Sequence, residues 1–566
     1  MVYFKRDRFS GIAPAVTARL LNEKFGQIAE NIDFESGRLA ATNADADAYT
    51  LQNTGRRSIY YYRDTSWLEW SNEDVSVVPG PIPGDTTDRL YFTGDDYPRV
   101  GTVATLVSGS SGYPVNSYRL GVPAPSAGLT AVKSGDVAEG ETPNSVSYVY
   151  TLVTAMGEEG PPSAASGILD ITTTETVALT LPTSNNPSGN YNFGAGSLKR
   201  IYRSNTGSTN TQFQFLTQIS YNSTTYTDTT SSANLGEIIP SATWIGPPDD
   251  SSLYPDGPLK GLIPLSQGTM AGFTGKRFCL SEPFLPHAWP IQYRITTEED
   301  IVAIASTANG VAALTDGQPY FITGTEPSAM TAIRVDLAQA CVNARSVVDM
   351  GDYVLYAGPD GLCSLQSSQG QIVTKSQVSV KQWNADFNPT TIRAFRHEGT
   401  YVAFHAGGGW VYDPRGGEAA LSTLTVAADI RGGYRNPKDG QLYVIVGNKI
   451  KKYQGASGKN TLKFKSKKFI STSPISMGWV SVDADVYPVT VKVWGDGVLV
   501  AHYVLSKPGA TYTQATTVPS NISDGILREP IMRMPAVVAQ QWEIQVEGTY
   551  INEFCLAQSM DEVRQS

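Results

Sequence analysis

In KNTLKFKSKKF, residues 459 to 469, Lys463, Lys465 and Lys467 recur at every second position, and Leu462 and Phe464 take the alternate positions. On a strand this spacing puts three ammonium groups on one face and the apolar side chains on the other. Lys459 and Lys468 extend the patch. Two chemistries suit it. One is a solvated edge strand whose charges discourage edge-to-edge pairing. The other is contact with an acidic partner or with the phosphates of passing DNA.

Carboxylates are the next candidates, because a pair flanking a glycosidic bond can act as acid and nucleophile. Asp85 with Asp88, Asp95 with Asp96, and the run Glu298, Glu299, Asp300 are close enough in sequence to inspect. Most sit beside Gly, Thr or Pro, where a short acidic side chain serves the turn itself. GDDYP, NPKDG and YPDG also place oxygens in turns, but none carries the acidic ladder of an EF-hand loop. The four histidines, His287, His397, His405 and His502, form no HxH or HExxH pair, and His397 and His405 are expected at a surface or strand edge. No GxSxG elbow or P-loop occurs. The residues therefore point to no enzyme, no cofactor and no metal site.

The elements that would position these residues are strands. Charged residues make up 17% of the chain, below the roughly 25% of an average soluble domain. Gly, Ser, Thr, Tyr and Pro fill the deficit. At 566 residues the chain exceeds one core, and its 41% apolar content suits several. Its formal charge of −10 disfavours sequence-specific nucleic-acid binding, although a weakly repulsive wall suits a channel through which DNA passes. Cys279, Cys341, Cys363 and Cys555 show no CxxC spacing. Buried free thiols are expected, with a meeting of Cys341 and Cys363 in adjacent strands as the alternative. The N-terminus lacks an apolar signal-peptide core, and no window has the ~18 apolar residues of a membrane span.

One helix is expected near the start, where Val16, Leu20, Leu21, Ile28 and Ile32 follow Pro14. Downstream, apolar strands flanking tight turns begin at Asn309, Gly351, Glu398 and Asp439, with offsets of 42, 47 and 41 residues. A period in the forties is the mark of a β-propeller, each blade a four-stranded meander. Looser matches at 57–70, 88–100 and 270–284 bring the expected blades to about seven. Between them YVYTLVTAMGEEGPPS, residues 148 to 163, is a sandwich-length strand that is apolar on both faces and ends in a sharp loop. The fold class is all-β: a propeller platform with an inserted fibronectin type III-like sandwich and a C-terminal sandwich-like region. The expected divisions are 1–56 (N-terminal segment), 57–100 (first blades), 101–266 (insert), 267–455 (remaining blades) and 456–566 (C-terminal domain).

Several stretches also resemble a known family. FGQIAENIDFESGRLAA, with Gln27, Ala29, Asn31, Gly37 and Leu39, is similar to the N-terminal pattern of the tail nozzle or tail tubular protein B family of short-tailed bacteriophages. That family includes the packaged-DNA-stabilisation hub proteins. YRLGVPAPS with YVYTLVTAMGEEGPPS, GKRFCLSEPFLPHAWP with CVNARSVVDMGDYVLYAGPDGL, and WEIQVEGTYINEFCLAQSMDE extend the likeness along the chain. The resemblance implies a virion tail protein made in the host cytoplasm. It implies a homohexameric ring below the tail adaptor or connector, fibre, needle or plug proteins as further partners, and genomic DNA passing non-specifically through the pore. A carbohydrate-binding or adhesive virion protein, or less readily a glycoside hydrolase, is the alternative on the same propeller.

Overall fold

A computed structural model describes residues 3–109, 112–183, 189–206, 210–249, 256–415, 419–426, 430–506, 513–514 and 531–565. The chain is all-β. It divides into two compact units, one of Met1–Tyr61, Gly317–Pro319 and Val335–Ser566, the other of Tyr62–Asp316 and Tyr320–Arg334. The division falls inside the strand Ser58–Tyr62.

The second unit holds three four-stranded antiparallel meanders among its described residues. They are Ser76–Pro79 to Tyr118–Arg119, Lys260–Pro264 to Ile295–Thr296, and Ile301–Thr307 to Thr331–Arg334. Such meanders are the blades of a propeller. Val78, Tyr91 and Val100 of the first pack with Leu262, Met270 and Cys279 of the second. Phe273 and Phe278 of the second in turn meet Ile304, Val311 and Ile322 of the third. The inner strands, such as Gly310–Thr315, are buried along nearly their whole length, which explains their apolar runs.

Between the first two meanders lies the insert. Thr130–Ser134, Thr176–Thr180 and Thr225–Asp228 form one sheet, and Tyr148–Val153, Leu198–Thr206 and Thr211–Ser220 another. Tyr148, Tyr150, Leu152, Val177, Leu179 and Ile201 share their core. The sandwich strands thus span 130–228. The expected insert, 101–266, was too wide at both ends, because Tyr118–Arg119 pairs back to Arg99–Gly101 and Lys260–Pro264 pairs on to Met270–Thr274.

The first unit contributes three more meanders: Val348–Asp349 to Gln369–Ile372, Arg393–His397 to Ala420–Leu424, and Ile430–Arg435 to Lys449–Lys452. The last has only three consecutive strands, and Ala46–Thr50 from the N-terminus supplies its fourth. The N-terminal residues also enter both sheets of the C-terminal sandwich. Tyr3–Arg6 and Leu39–Ala41 pair with Tyr550–Ala557. Ile28–Glu30 lies between Ala420–Leu424 and Leu462–Lys465, joining a blade to the sandwich. Val480, Val491, Val493, Trp542, Ile544 and Val546 are fully buried in that sandwich. Residues 3–56 are therefore a thread sewn through the unit, not a separate segment.

The expected helix does not form. Over 13–25 the backbone makes isolated turns, Val16 to Ala13, Leu20 to Thr17 and Phe25 to Asn22. Leu21 and Phe25 satisfy themselves in a small cluster with Ala13 and Val16, while Leu20 is exposed. Ile28 and Ile32 belong instead to strands on either side of Asn31, whose φ of 57° turns the chain. At Gly11 the thread passes so close to Leu421 that a Cβ would meet its carbonyl oxygen at 2.3 Å.

Candidate functional site

The lysine strand is not an edge. Leu462–Lys465 has Ile28–Glu30 on one side and Ala539–Gly548 on the other, so the edge-protection reading is overturned. The alternation holds, with Leu462 and Phe464 buried. Four of the five lysines, Lys459, Lys463, Lys465 and Lys468, meet an anion or a ring. Lys463 Nζ lies 3.3 Å from Glu30 Oε1, and Lys465 Nζ 3.1 Å from Glu543 Oε2 and 4.4 Å from the Trp494 ring centroid. Lys468 reaches Glu543 Oε1 at 3.9 Å, and Lys459 sits over the Tyr550 ring. Lys467 has its ammonium pKa pushed down by burial and by Arg6 nearby, against the pull of Glu23.

The face continues through Lys492, 2.9 Å from Glu547 Oε1, which also accepts from Gln545 Nε2. Burial works against ionisation of Glu547, yet these hydrogen bonds hold it below the usual carboxylate range. Gln27 Nε2 donates to Glu543 Oε1 at 2.8 Å and to the Ser466 carbonyl. Glu30, Glu543 and Glu547 thus tie down Lys463, Lys465, Lys468 and Lys492, so most of the patch is cross-linked and not a free cationic stripe. Replacing Lys463 and Lys468 by Gln is therefore expected to leave retention of duplex DNA in a low-salt gel-shift assay unchanged. A fall in retention would show that these ammonium groups reach phosphate despite their carboxylates.

The loop Glu158-Glu159 is a second network, in the unit that holds the insert. Both side chains are buried although they sit at a turn. After it, the amides of Gly160, Ser163 and Ser166 donate to the carbonyls of Leu152, Tyr150 and Tyr148. Pro161 and Pro162 fall between those donors, so their missing N–H groups leave no bond unmade. Gly160 is required because a Cβ there would stand 2.6 Å from Val122 Cγ1. Glu159 Oε1 accepts from Thr151 Oγ1 and Tyr202 Oη, both at 2.7 Å, and Oε2 from Arg200 Nη1 at 2.6 Å. Burial, and then Glu159, push the Tyr202 phenol above its ordinary pKa. Glu158 accepts from Arg89 Nη1 at 3.4 Å, and Arg89 Nη2 donates to the Met156 carbonyl. Arg89 immediately precedes the strand Leu90–Thr93 of the first meander. The loop thus fastens the sandwich to that blade.

Other sequence candidates are occupied locally. Asp85 accepts from the amides of Thr87 and Arg89, and Asp88 pairs with Arg63. Asp95 accepts from Asn72, and Asp96 takes a φ of 76° in its turn. Glu298 and Glu299 face Arg334, while Asp300 donates its amide to Asp316. In NPKDG, Asn436 and Asp439 cap amides two residues on; Tyr254 and Pro255 of YPDG lie outside the described residues. His397 is buried rather than superficial, as is His287, because both pack among aromatic rings. All four cysteines are buried free thiols, and burial pushes Cys341 and Cys363 up to about 12 without a bond between them.

One feature is invisible in the sequence pattern. In the first unit a cavity of about 280 Å³ opens where Thr42–Asp45 runs beside 456–460, beneath the ends of two blades. Asn31, Asn43, Asp45, Thr425, Lys451 and Asn460 supply polar groups, and Leu424, Val426, Ile430 and Val446 an apolar wall. Burial raises the pKa of the Asp45 carboxyl, although the Gln454 amide donates to it at 2.9 Å. These residues are some 400 positions apart in the chain, and no spacing rule joins them.

No family model and no curated protein matches the sequence. Among solved structures, similar ones include BBS1N in complex with ARL6DN, at 10% identity over 74% of this chain and 99% of that one, TM-score 0.29. YCF48 from Cyanidioschyzon merolae aligns at 10% identity over 50% and 94% of the two chains, TM-score 0.25. The extracellular domain of BT4673 from B. thetaiotaomicron gives 10% identity, 73% and 52% coverage, and a TM-score of 0.20. The description of the fold accordingly rests on the strand pairing itself. Among the described residues no three His, Cys, Asp or Glu side chains are placed to hold a metal ion, and no helix is long and apolar enough to cross a membrane.

Proposed function

We propose that the chain is a structural virion protein, a tail nozzle or hub subunit that assembles into a ring through which DNA leaves. The observation that supports this reading concerns the five N-terminal residues that carry the family resemblance. They are the ones that sew a blade to the C-terminal sandwich. Gln27 reaches across to Ser466 and Glu543. Ala29 and Leu39 are buried in the shared core. Asn31 receives the Thr425 amide and donates to Thr425 Oγ1 and the Thr461 carbonyl. Gly37 makes the turn before Leu39 with a φ of 74°. The pattern therefore serves a rigid body, as a conduit subunit requires.

In this reading the partners are further copies of the chain in a closed ring, the tail adaptor, and a fibre, needle or plug protein. The mass of the purified protein in solution, alone and with its adaptor ring, tests it. Assembly into a closed ring, or capture by the adaptor, is the expected result. A monomer under both conditions would count against the nozzle.

A further inference from the structure

From the polar cavity beneath the two blade ends, we infer a binding site for a neutral polyhydroxylated ligand the size of one sugar ring. Among the described residues its lining joins three amides, Asn31, Asn43 and Asn460, to one carboxylate, Asp45, and one ammonium, Lys451; the Nδ2 groups of Asn31 and Asn460 already donate to Thr425, Thr461, Thr42 and Asn43, which leaves their oxygens to accept. Among the described lining residues the two charges balance, so neither a multivalent anion nor a metal cation is matched. Vicinal hydroxyls are matched, since each donates one bond and accepts others, as amides and a carboxylate demand. The aliphatic wall of Leu424, Val426, Ile430 and Val446 suits the C–H face of a ring.

A second observation points into the same place. Tyr453, which lines the cavity, is 4% exposed, and its hydroxyl makes no well-formed hydrogen bond, the Gln454 side chain being its polar neighbour. A small recess next to the cavity shares Thr42 and Gln454 with it and is lined by His397, 7% exposed, whose Nδ1 has no hydrogen-bond partner. The two rings stand edge to face with centroids 5.0 Å apart. Buried polar atoms are almost always satisfied, so the Tyr453 hydroxyl at the cavity wall and His397 Nδ1 in the adjoining recess are accounted for by something that fills these spaces. Bridging water would satisfy them too, and that is the outcome the experiment must separate. The inference stands whether or not the chain is a tail subunit.

The test titrates the intact protein with a panel of neutral hexoses and N-acetylhexosamines, by calorimetry and by saturation-transfer NMR. Glycerol is the small polyol control and inorganic phosphate the anion control. At least one sugar is expected to bind with a millimolar dissociation constant. Asp45→Asn is expected to weaken it about tenfold, the worth of one hydrogen bond to a charged acceptor. Asn43→Ala serves as a second variant should Asp45→Asn alter the fold, with unchanged far-UV circular dichroism as the check. No binding by any sugar, binding by phosphate alone, or binding unaffected by both variants would overturn the inference and leave a water-filled cavity.

Discussion

A chain that starts at residue 57 is expected to lose the cooperative fold of the unit that contains the C-terminal sandwich. Deletion removes the fourth strand of the Ile430–Lys452 meander, the strand between blade and sandwich, and two strands paired with Tyr550–Ala557. It also removes Phe9, Ile12, Ile32, Leu39 and Leu51, all buried. At about 1.5–3 kcal/mol for each large side chain, their burial is worth roughly 8–15 kcal/mol. That is comparable with the whole net stability of a typical domain, about 5–15 kcal/mol. The strands left behind would expose unpaired edges and apolar faces, a route to aggregation. Expression of residues 57–566, followed by size-exclusion chromatography and calorimetry, checks this. A soluble monodisperse product that melts at the temperature of the full chain would show that the thread is dispensable.

That result also bears on what the sequence could reveal. The repeat offsets pick out the inner hairpins, Gly310–Thr315 with Tyr320–Thr323 and Thr400–His405 with Gly408–Asp413, because those strands are buried and strongly apolar. Outer strands such as Thr331–Arg334 and Gln369–Ile372 are short and half exposed, and give no hydrophobic signal. Ile28–Glu30 is expected as part of a helix, because what makes it a strand is pairing with Thr423 and with Lys463–Lys465, about 400 residues away. In the lysine strand the two-residue alternation was legible. Glu30 and Glu543, which pair with Lys463 and Lys465, were not, for the same reason. The Glu-Glu-Gly-Pro-Pro loop reads as a solvated turn by composition. Only the packing of Thr151, Arg200 and Tyr202 around it makes Glu159 a buried acceptor.

Glu159→Ala is accordingly expected to loosen the insert more than any exposed substitution in that unit. Removing the carboxylate leaves the hydroxyls of Thr151 and Tyr202 buried and unpartnered, at about 1–3 kcal/mol for each such group. It also strips the counter-charge from Arg200. Breaking a buried ion pair costs roughly 3–5 kcal/mol, but the Arg200 side chain is 34% exposed and water recovers part of that. A net loss of about 3 kcal/mol follows, which for a unit of this size lowers its melting temperature by roughly 6–12 °C. Hydrogen exchange gives the local readout. The amides of Tyr148–Val153 should lose protection in the variant, while those of Gly310–Thr315, in the third meander of the same unit, keep theirs. Glu159→Gln should recover part of the loss, since its oxygen can still accept from Thr151 and Tyr202 while its amide faces Arg200. Equal protection in Glu159→Ala and the parent chain would mean that the hydroxyls and the guanidinium find other partners, and that the sandwich is held by its apolar core alone.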